Sequence, residues 1–358
     1  DEELKIIRRN QMAAGEPPRY TGIWANATKE DIEKELEKGI RPVYRFRLPK
    51  ERTITFQDLV KGEQSFHTSD LDDFIVRKKD LSPTFMFANA IDDSLMEVNV
   101  VLRGDDHLSN TPRQIALLEA LNLEIPEFIH VALFTGEDGA PLSKRNGSLS
   151  VKELKEKGYF PQAVINYLSR VGHTIQDNEL RDLEGLSSVF DADNISTSPS
   201  RIDYDQLIFW QKKVIESKSI KELCAWLEPD LKNLPKDIDK NSFVGLIKDN
   251  VIFPDEAVEY LENLFLNSLS SAKEVEDLIK QSEPKFFDLA GKIVKDNWGD
   301  WSKTMKLIGE ETHTKGKDLF MPIRASITGQ LSGPELDQVT EVMGQERVLK
   351  RLKEAAVL

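Results

Sequence analysis

A glycine-rich polar loop holds the residues whose types and spacing best suit chemistry. The stretch "GEDGAPLSKRNGS", residues 136–148, carries Ser143, Lys144 and Arg145 between glycines that free the backbone. A hydroxyl and two fixed positive charges suit a polyphosphate whose negative charge grows in a transition state. An isolated Ser-Lys-Arg run is also typical of a solvated surface turn, so the position of the loop must decide between the two interpretations.

That position lies just after an apolar strand. The run "FIHVALF" (128–134) predicts a buried strand that leads into the loop, and "EVNVVLR" (97–103) predicts another that leads into the polar cluster "GDDH". Between them, Thr111 as N-cap and Pro112 as the first helical residue predict a helix. Strand, helix and strand form one crossover unit of a parallel sheet, in which ligands bind at the carboxyl ends of the strands. Both polar clusters therefore fall at one predicted ligand-binding edge.

The segments on either side of this unit differ in character. Before residue 85, strand-like runs between proline and glycine breaks predict a small α+β domain. After residue 149 the sequence predicts helices, and beyond residue 220 apolar residues recur every three or four positions, as in a helical bundle. Two capping boxes, Ser150 with Glu153 and Ser219 with Glu222, predict helix starts. Glycine and proline predict further helix boundaries at Gly158, Pro161 and Gly172.

Length and composition exclude several classes of protein. A chain of 358 residues predicts two or three domains. The absence of an apolar run of about 18 residues and the acidic first residues predict a soluble, cytoplasmic protein without a membrane span or signal peptide. The single Cys224 and five scattered histidines exclude a disulfide framework and predict no structural metal, zinc included. A net charge of −14 argues against indiscriminate nucleic-acid binding but is compatible with a confined basic face.

Long runs of the sequence resemble the bacterial-type glutamyl-tRNA synthetases, a family of class I aminoacyl-tRNA synthetases. The run "HVALFTGEDGAPLSKRNGSLSVKELKEKGYFPQAVINYLSRVG" is similar to the region of their second signature motif, and "RGDDHLSNTPRQ" to the strand and helix upstream of it. The runs "MAAGEPPRYTG", "ITFQDLVKGEQSF" and "LFMPIRASITGQLSGPEL" are similar to the family's connective and C-terminal regions. The similarity covers nearly the whole chain in the family's order.

The resemblance implies a multidomain fold of α/β and all-α parts. The α/β part is the second half of a Rossmann-like parallel-sheet domain, and the all-α part contacts tRNA. The implied ranges are the rest of an acceptor-end-binding connective domain (1–85), the Rossmann-like half (86–135), the signature loop with a stem-contact domain (136–218) and a helical anticodon-binding domain (219–358).

The resemblance also implies a reaction. ATP, bound with Mg²⁺, activates L-glutamate as glutamyl-adenylate, and the glutamyl group then passes to the 3′ end of tRNA-Glu. Lys144 matches the motif lysine that stabilises the leaving pyrophosphate, and Ser143 and Arg145 match its neighbours. Pro141 stands where the first lysine of the motif usually lies, so we expect slower activation or a compensating cation.

Three further residues match positions of the family's substrate pocket. Arg103 matches an arginine that pairs with the substrate carboxylate, a group that guanidinium binds bidentately. Phe85 falls where the family commonly has a tyrosine in the amino-acid pocket, and His107 falls where an aromatic ring lines the ATP pocket. For His107, and for Asp105 and Asp106 beside it, turn formation and helix capping are the alternative interpretation.

The implied tRNA surface follows the signature loop. Lys152, Lys155 and Arg170 are candidate phosphate contacts for the inner stem, while Lys248 and Asn250 occupy the place where many bacterial members have an arginine that reads the anticodon. Any of these side chains could equally lie on a solvated helix face. The predicted partners are tRNA-Glu, L-glutamate and ATP, with no membrane, and the predicted state is a monomer.

One family feature is absent from the sequence. No run resembles the His-Ile-Gly-His type motif that class I enzymes carry upstream of the connective domain. The resemblance therefore implies a chain that begins inside that domain and activates glutamate poorly alone. Two alternatives stay open: a divergent duplicate that charges a restricted set of tRNAs, and a non-enzymatic tRNA-binding protein with the same architecture.

Overall fold

The chain folds into two compact units. The computed structural model describes residues 2–15, 20, 22, 24, 26–136, 139, 142, 150–269 and 273–358. The first unit is made of Asp1–Gly147, Ser169–Asn178 and Glu184–Ile202. The second is made of Ser148–Leu168, Glu179–Leu183 and Asp203–Leu358. The polypeptide therefore crosses between the units several times before residue 203.

Short strands and helices alternate in the first part of the chain, and helices make up the rest. The strands are β1 (Tyr44–Phe46), β2 (Thr53–Asp58), β3 (Gly62–His67), β4 (Phe74–Arg77), β5 (Val100–Gly104), β6 (Glu127–Val131), β7 (Phe134–Thr135) and β8 (Ser200–Arg201). The helices are α1 (Glu2–Ala13), α2 (Lys29–Glu37), α3 (Phe85–Leu95), α4 (Thr111–Ala120), α5 (Val151–Glu156), α6 (Pro161–Leu168), α7 (Leu183–Ser188), α8 (Tyr204–Ser217), α9 (Ile220–Leu227), α10 (Lys240–Ile247), α11 (Pro254–Leu261), α12 (Lys273–Lys280), α13 (Pro284–Asp296), α14 (Trp301–Thr312), α15 (Lys317–Thr328), α16 (Leu336–Met343) and α17 (Gln345–Ala355).

The first unit is built on a four-stranded sheet in the order β3-β2-β6-β5. Strand β6 pairs parallel with both β5 and β2, and β3 pairs antiparallel with β2. Helix α4 crosses from β5 to β6, and its Leu117 and Leu118 share a buried core with Ile54 of β2 and Phe128 of β6. The predicted strand, helix and strand unit of a parallel sheet is therefore confirmed.

The sheet also extends into the segment before residue 85. The sequence interpretation placed residues 52–60 in a separate α+β domain, whereas β2 pairs with β6 at Asp58 and Phe128. The sequence of each strand shows only the alternation of its own side chains. It does not show which distant strand pairs with it. The four domain ranges themselves stay predictions.

Three local boundaries differ from those predicted. The apolar run 128–134 divides, because β6 ends at Val131 and β7 pairs with β8 in a sheet of its own. Thr111 is the first residue of α4 rather than its cap, since a 3₁₀ turn over Asp105–Asn110 leads straight into the helix. Helix α6 ends at Leu168 and not near Gly172, because the chain enters the first unit at that point.

The second unit is a set of packed helices, as predicted. The capping boxes of Ser150 with Glu153 and of Ser219 with Glu222 are both formed, at the starts of α5 and α9. The largest side chains that it buries completely include Trp210, Phe243, Ile247 and Phe287. Across the part of the chain that the structure describes, no helix combines the length and the apolar character needed to cross a membrane.

Candidate active site at the carboxyl end of strand β5

The end of β5 carries the polar cluster that the sequence singled out. Arg103 is the penultimate residue of the strand, and Asp105 and His107 lie in the 3₁₀ turn that follows. Gly104 joins them in a crowded position, because a Cβ there would lie 2.6 Å from Asp106 Oδ1 and 2.8 Å from Leu133 Cδ2. The glycine lets the turn fold back tightly against the strand end.

Arg103 is held by two neutral side chains. Its Nε donates a hydrogen bond to Nε2 of His130 at 3.1 Å, and its Nη2 donates to Oγ1 of Thr111 at 2.7 Å. The guanidinium also lies over the ring of Phe128, 5.4 Å from its centroid. Among the described residues Arg103 forms no salt bridge and its Nη1 donates no hydrogen bond. The side chain is therefore fixed, and none of the described residues supplies a direct counter-ion for its charge.

Two acidic groups act on Arg103 through their charge. Burial lowers the pKa of Arg103, and the charges of Asp93 and Asp106 oppose that shift. Burial in turn raises the pKa of Asp93 on α3, and the charge of Arg103 opposes it. Asp93 Oδ2 accepts a hydrogen bond at 3.1 Å from Nδ2 of Asn89, whose Oδ1 accepts one at 3.1 Å from Nε2 of the buried Gln114. Hydrogen bonds thus link polar side chains of α3 and α4, and Asp93 in this chain interacts with the charge of Arg103.

Two residues predicted for different ligands lie side by side. The ring of Phe85, at the start of α3, has its centroid 6.1 Å from that of His107. Phe85 is 67% exposed, which is high for a large aromatic side chain and leaves its face accessible. His107 is oriented by Asn110, whose Nδ2 lies 3.1 Å from its Nδ1, and its Nε2 lies 3.9 Å from Asp106 Oδ2. The fold therefore brings the predicted amino-acid and ATP positions together.

Sequence interpretation missed four side chains of this site. Lys61, in the turn between β2 and β3, forms a salt bridge at 3.0 Å with Asp105. Thr111 was expected only to cap a helix, and neither His130 nor Asp58 was assigned a part in the site. A histidine inside an otherwise apolar strand was the one signal available, because a buried imidazole needs polar partners.

The predicted phosphate-binding residues cannot be placed beside these. Ser143, Lys144, Arg145 and Pro141 lie outside the described residues. Their contribution to the site stays a prediction from the sequence. Within the described ranges, no three or more His, Cys, Asp or Glu side chains are arranged to hold a metal ion.

The candidate tRNA contacts differ in exposure. Lys152 and Lys155 are exposed on α5, and Lys152 lies 3.7 Å from Glu156 in a solvated ion pair. Arg170 is only 12% exposed and bonds to Asp177, with its Nε donating to the Asp177 carbonyl oxygen at 3.3 Å. In the second unit, Lys248 is the half-buried C-cap of α10 and Asn250 is exposed. Lys152, Lys155 and Asn250 are thus exposed, whereas Arg170 and Lys248 are partly buried.

Two family models match the chain and define its class. The model of the catalytic domain of class I tRNA synthetases (E and Q) matches residues 1–209, and an anticodon-binding-domain model matches residues 203–356. The parallel sheet with its polar carboxyl edge and the helical unit that follows agree with these matches. The class is that of the class I aminoacyl-tRNA synthetases, with a helical anticodon-binding region.

Similar proteins specify the family within that class. Glutamate–tRNA ligase 1 of Halorhodospira halophila is 43% identical over 358 residues, which is all of this chain and 75% of the relative. Glutamate–tRNA ligase 2 of Nitrosococcus oceani is 42% identical over 353 residues, covering 98% of this chain and 75% of that protein. The chain belongs to the glutamate–tRNA ligase family.

A solved structure agrees at the level of the fold. The crystal structure of a glutamate tRNA ligase from Elizabethkingia meningosepticum in complex with its amino acid matches with a TM-score of 0.86 at 23% identity, covering 99% of this chain and 78% of that one. A second structure, from Elizabethkingia anophelis, matches with the same TM-score at 24% identity, covering 100% of this chain and 78% of that one.

Proposed function

We propose that this chain supplies the glutamate site, the ATP-phosphate loop and the tRNA-Glu surface of a glutamate–tRNA ligase. The observation that carries the proposal is Arg103, a guanidinium fixed by neutral partners at the carboxyl end of β5. Its Nη1 makes no hydrogen bond among the described residues, so it is suited to receive a carboxylate of the substrate. Phe85 and His107 border the same site and supply apolar and aromatic surface.

The signature loop is proposed to act on ATP. Lys144 stabilises the charge that develops on the leaving pyrophosphate, and Ser143 and Arg145 bind neighbouring phosphate oxygens. Mg²⁺ enters with ATP as part of the substrate complex. This assignment is supported by the match of the loop sequence to the family's second signature and by the family model that covers it.

The tRNA surface is proposed to run along the domains that follow the sheet. Lys152, Lys155 and Arg170 contact phosphates of the inner stem, and Lys248 and Asn250 lie at the anticodon-reading end. The ranges 1–85, 86–135, 136–218 and 219–358 are proposed as the connective, Rossmann-like, stem-contact and anticodon-binding domains. A monomeric state and a cytoplasmic location stay predictions from the sequence.

Calorimetric titration of the chain with L-glutamate tests the proposal. We expect saturable binding that Arg103→Ala weakens by about 10- to 100-fold, because charge-assisted hydrogen bonds contribute roughly 1.5–3 kcal/mol. Arg113→Ala is the matched control, since Arg113 contacts the Ser109 carbonyl and has no hydrogen bond to Arg103. Equal affinities in the wild-type chain and Arg103→Ala, or glutamine bound as tightly as glutamate, would contradict the proposed site.

A further inference from the structure

We infer that Asp58 and His130 are positioning residues that hold Arg103 in the geometry that receives the substrate carboxylate. The inference rests on the proposed glutamate site and adds two buried side chains to it. The three residues lie on three adjacent strands, β2, β6 and β5, and Arg103 and His130 are direct partners in the register of β5 and β6.

The inner half of the arrangement is completely buried. The side chains of Asp58 and His130 are both 0% exposed, and His130 Nδ1 lies 2.6 Å from Asp58 Oδ2. The same Oδ2 accepts a hydrogen bond from the backbone N–H of His130 at 3.1 Å. Oδ1 accepts from the backbone N–H groups of Val60 at 3.0 Å and Lys61 at 2.8 Å. Both oxygens of Asp58 therefore act as acceptors.

These contacts determine which ring nitrogen of His130 carries the proton. Because Asp58 Oδ2 is an acceptor, Nδ1 of His130 must be the donor in the bond between them. On the other side of the ring, Arg103 Nε can only donate, so Nε2 must accept. The imidazole is thus neutral with its proton on Nδ1, the tautomer that the carboxylate selects.

Thr111 completes the arrangement. Its Oγ1 accepts a hydrogen bond from Arg103 Nη2 at 2.7 Å and lies 3.0 Å from His130 Nε2, to which its hydroxyl can donate. A proton on Nε2 would set donor against donor at the contact with Arg103 Nε, whereas the Thr111 hydroxyl could accept from it as well as donate. Burial, together with the charge of Arg103, lowers the pKa of His130 and so disfavours the imidazolium.

The arrangement has a consequence for recognition. A carboxylate in the place of His130 would hold Arg103 equally firmly but would neutralise it before the substrate arrived. A neutral acceptor on Nε orients the plane of the guanidinium and leaves its charge for the ligand. Asp58 acts on Arg103 only through the tautomer of His130, which is why both are positioning residues and not substrate contacts.

A purely structural pair is the competing explanation. Asp58 and His130 also join β2 to β6, so their loss could simply loosen the sheet. Two substitutions at one position separate the explanations. In His130→Asn the amide reaches the place of Nδ1 and keeps a partner for Asp58, whereas in His130→Gln the longer side chain carries its oxygen to the place of Nε2 and keeps the acceptor for Arg103.

The test combines glutamate calorimetry with NMR of the full chain labelled with ¹⁵N at arginine and histidine. We expect His130→Gln to bind glutamate within about threefold of wild type, and His130→Asn and Asp58→Asn to bind about tenfold or more weakly. Arg103 Nε–H should exchange slowly in the wild type and in His130→Gln and rapidly in His130→Asn. Asp58→Asn should move the proton of His130 from Nδ1 to Nε2.

The outcomes separate this inference from the proposed function. If His130→Asn and His130→Gln lose glutamate affinity equally, or neither loses any, the positioning role is overturned. If the wild-type chain binds no glutamate, the proposed function fails, and the exchange of Arg103 Nε–H still decides the inference. Slow exchange in the wild type and His130→Gln alone would uphold it, and equal exchange in all variants would overturn it.

Discussion

The ring centroids of Phe85 and His107 lie 6.1 Å apart, although Phe85 begins helix α3 and His107 lies in the turn after strand β5. Both rings border the end of the strand that presents Arg103. An amino acid held by Arg103 and a nucleotide held beside His107 would therefore meet at one place, as the formation of an aminoacyl-adenylate requires.

The resemblance predicts that Phe85 occupies a position where a tyrosine is common, so Phe85→Tyr should strengthen the site by restoring a hydroxyl. A phenolic hydroxyl that donates to the ligand carboxylate forms a charge-assisted hydrogen bond, which predicts about tenfold tighter glutamate binding by calorimetry. Phe85→Leu, without ring or hydroxyl, should bind no better than wild type. Identical affinities for all three chains would place the Phe85 side chain outside the glutamate pocket.

Gln211 is a buried junction of the second unit, and its removal should reduce stability. Its Oε1 accepts from Phe160 N at 3.0 Å, and its Nε2 donates to the carbonyl oxygens of Gly158 at 3.2 Å and Ile252 at 3.1 Å. Gln211→Leu leaves these partly buried backbone groups without that partner, which should lower the free energy of unfolding by about 3 kcal/mol. Urea denaturation measures the change, and the exposed Lys212→Ala is the control. A loss no larger than that of the control would show that water replaces the amide.

Gly158 lies in the same junction and should not tolerate a side chain. It has φ of +92°, and a Cβ added there would overlap the ring of Pro254. Gly158→Ala should therefore cost about 2–4 kcal/mol of unfolding free energy, from strain and overlap together. Gly291, inside α13 with open space around its Cα, supplies the opposite case, since Gly291→Ala should stabilise by up to about 1 kcal/mol. Similar effects of the two alanines in thermal unfolding would contradict this packing.

His130 should make stability depend on pH in a definite direction. Burial lowers its pKa below the ordinary value of 6.5, so between the two values the unfolded chain binds a proton that the folded chain does not. The contribution of the neutral ring to stability is thus present above pH 6.5 and declines as the pH falls through that value. Asp58, Arg103 and Lys61 are the charged groups that act on the ring.

Unfolding midpoints measured at a series of pH values between about 7 and 5 test this assignment. The wild type should lose more stability on acidification than His130→Gln, which has no titrating group at that position. Parallel curves would mean that His130 takes up a proton as readily in the folded chain as in the unfolded chain, contrary to its hydrogen bonds with Asp58 and Arg103.

Structural features that depend on residues close together in the chain could be predicted from the sequence. The capping boxes at Ser150 and Ser219 were predictable, because each needs only residues three positions apart in the chain. The parallel pairing of β5 and β6 was predictable too, since apolar runs flank a helix of crossover length.

The hydrogen bonds that support Arg103 in the candidate site could not be predicted in this way. Asp58 and His130 are 72 residues apart in the chain, and neither belongs to a motif that would relate them. Thr111 carried a clear capping signal, but the preceding 3₁₀ turn already continues into the helix and leaves the hydroxyl to Arg103 and His130. The family resemblance identified Arg103 as a candidate site residue. The hydrogen bonds that hold its side chain are seen only in the folded structure.

Charge reversal on α5 should weaken tRNA binding without altering glutamate binding. Lys152 and Lys155 are exposed near the start of the second unit, and Lys152 forms a solvated ion pair with Glu156. If both contact phosphates, the double variant Lys152→Glu with Lys155→Glu should reduce the slope of log affinity against log salt by about two, or about one for each contact. Lys221→Glu, on the exposed surface of α9, is the control. An unchanged slope would assign these lysines to a solvated face.

The most direct test of the proposed tRNA-Glu surface is a fluorescence titration of the chain with tRNA-Glu over a range of salt concentrations. The competitors are tRNA-Gln and tRNA-Asp. We predict saturable, salt-sensitive binding that favours tRNA-Glu over both competitors. No binding, or equal binding of all three tRNAs, would contradict the proposal that this chain carries the tRNA-Glu surface of a glutamate–tRNA ligase.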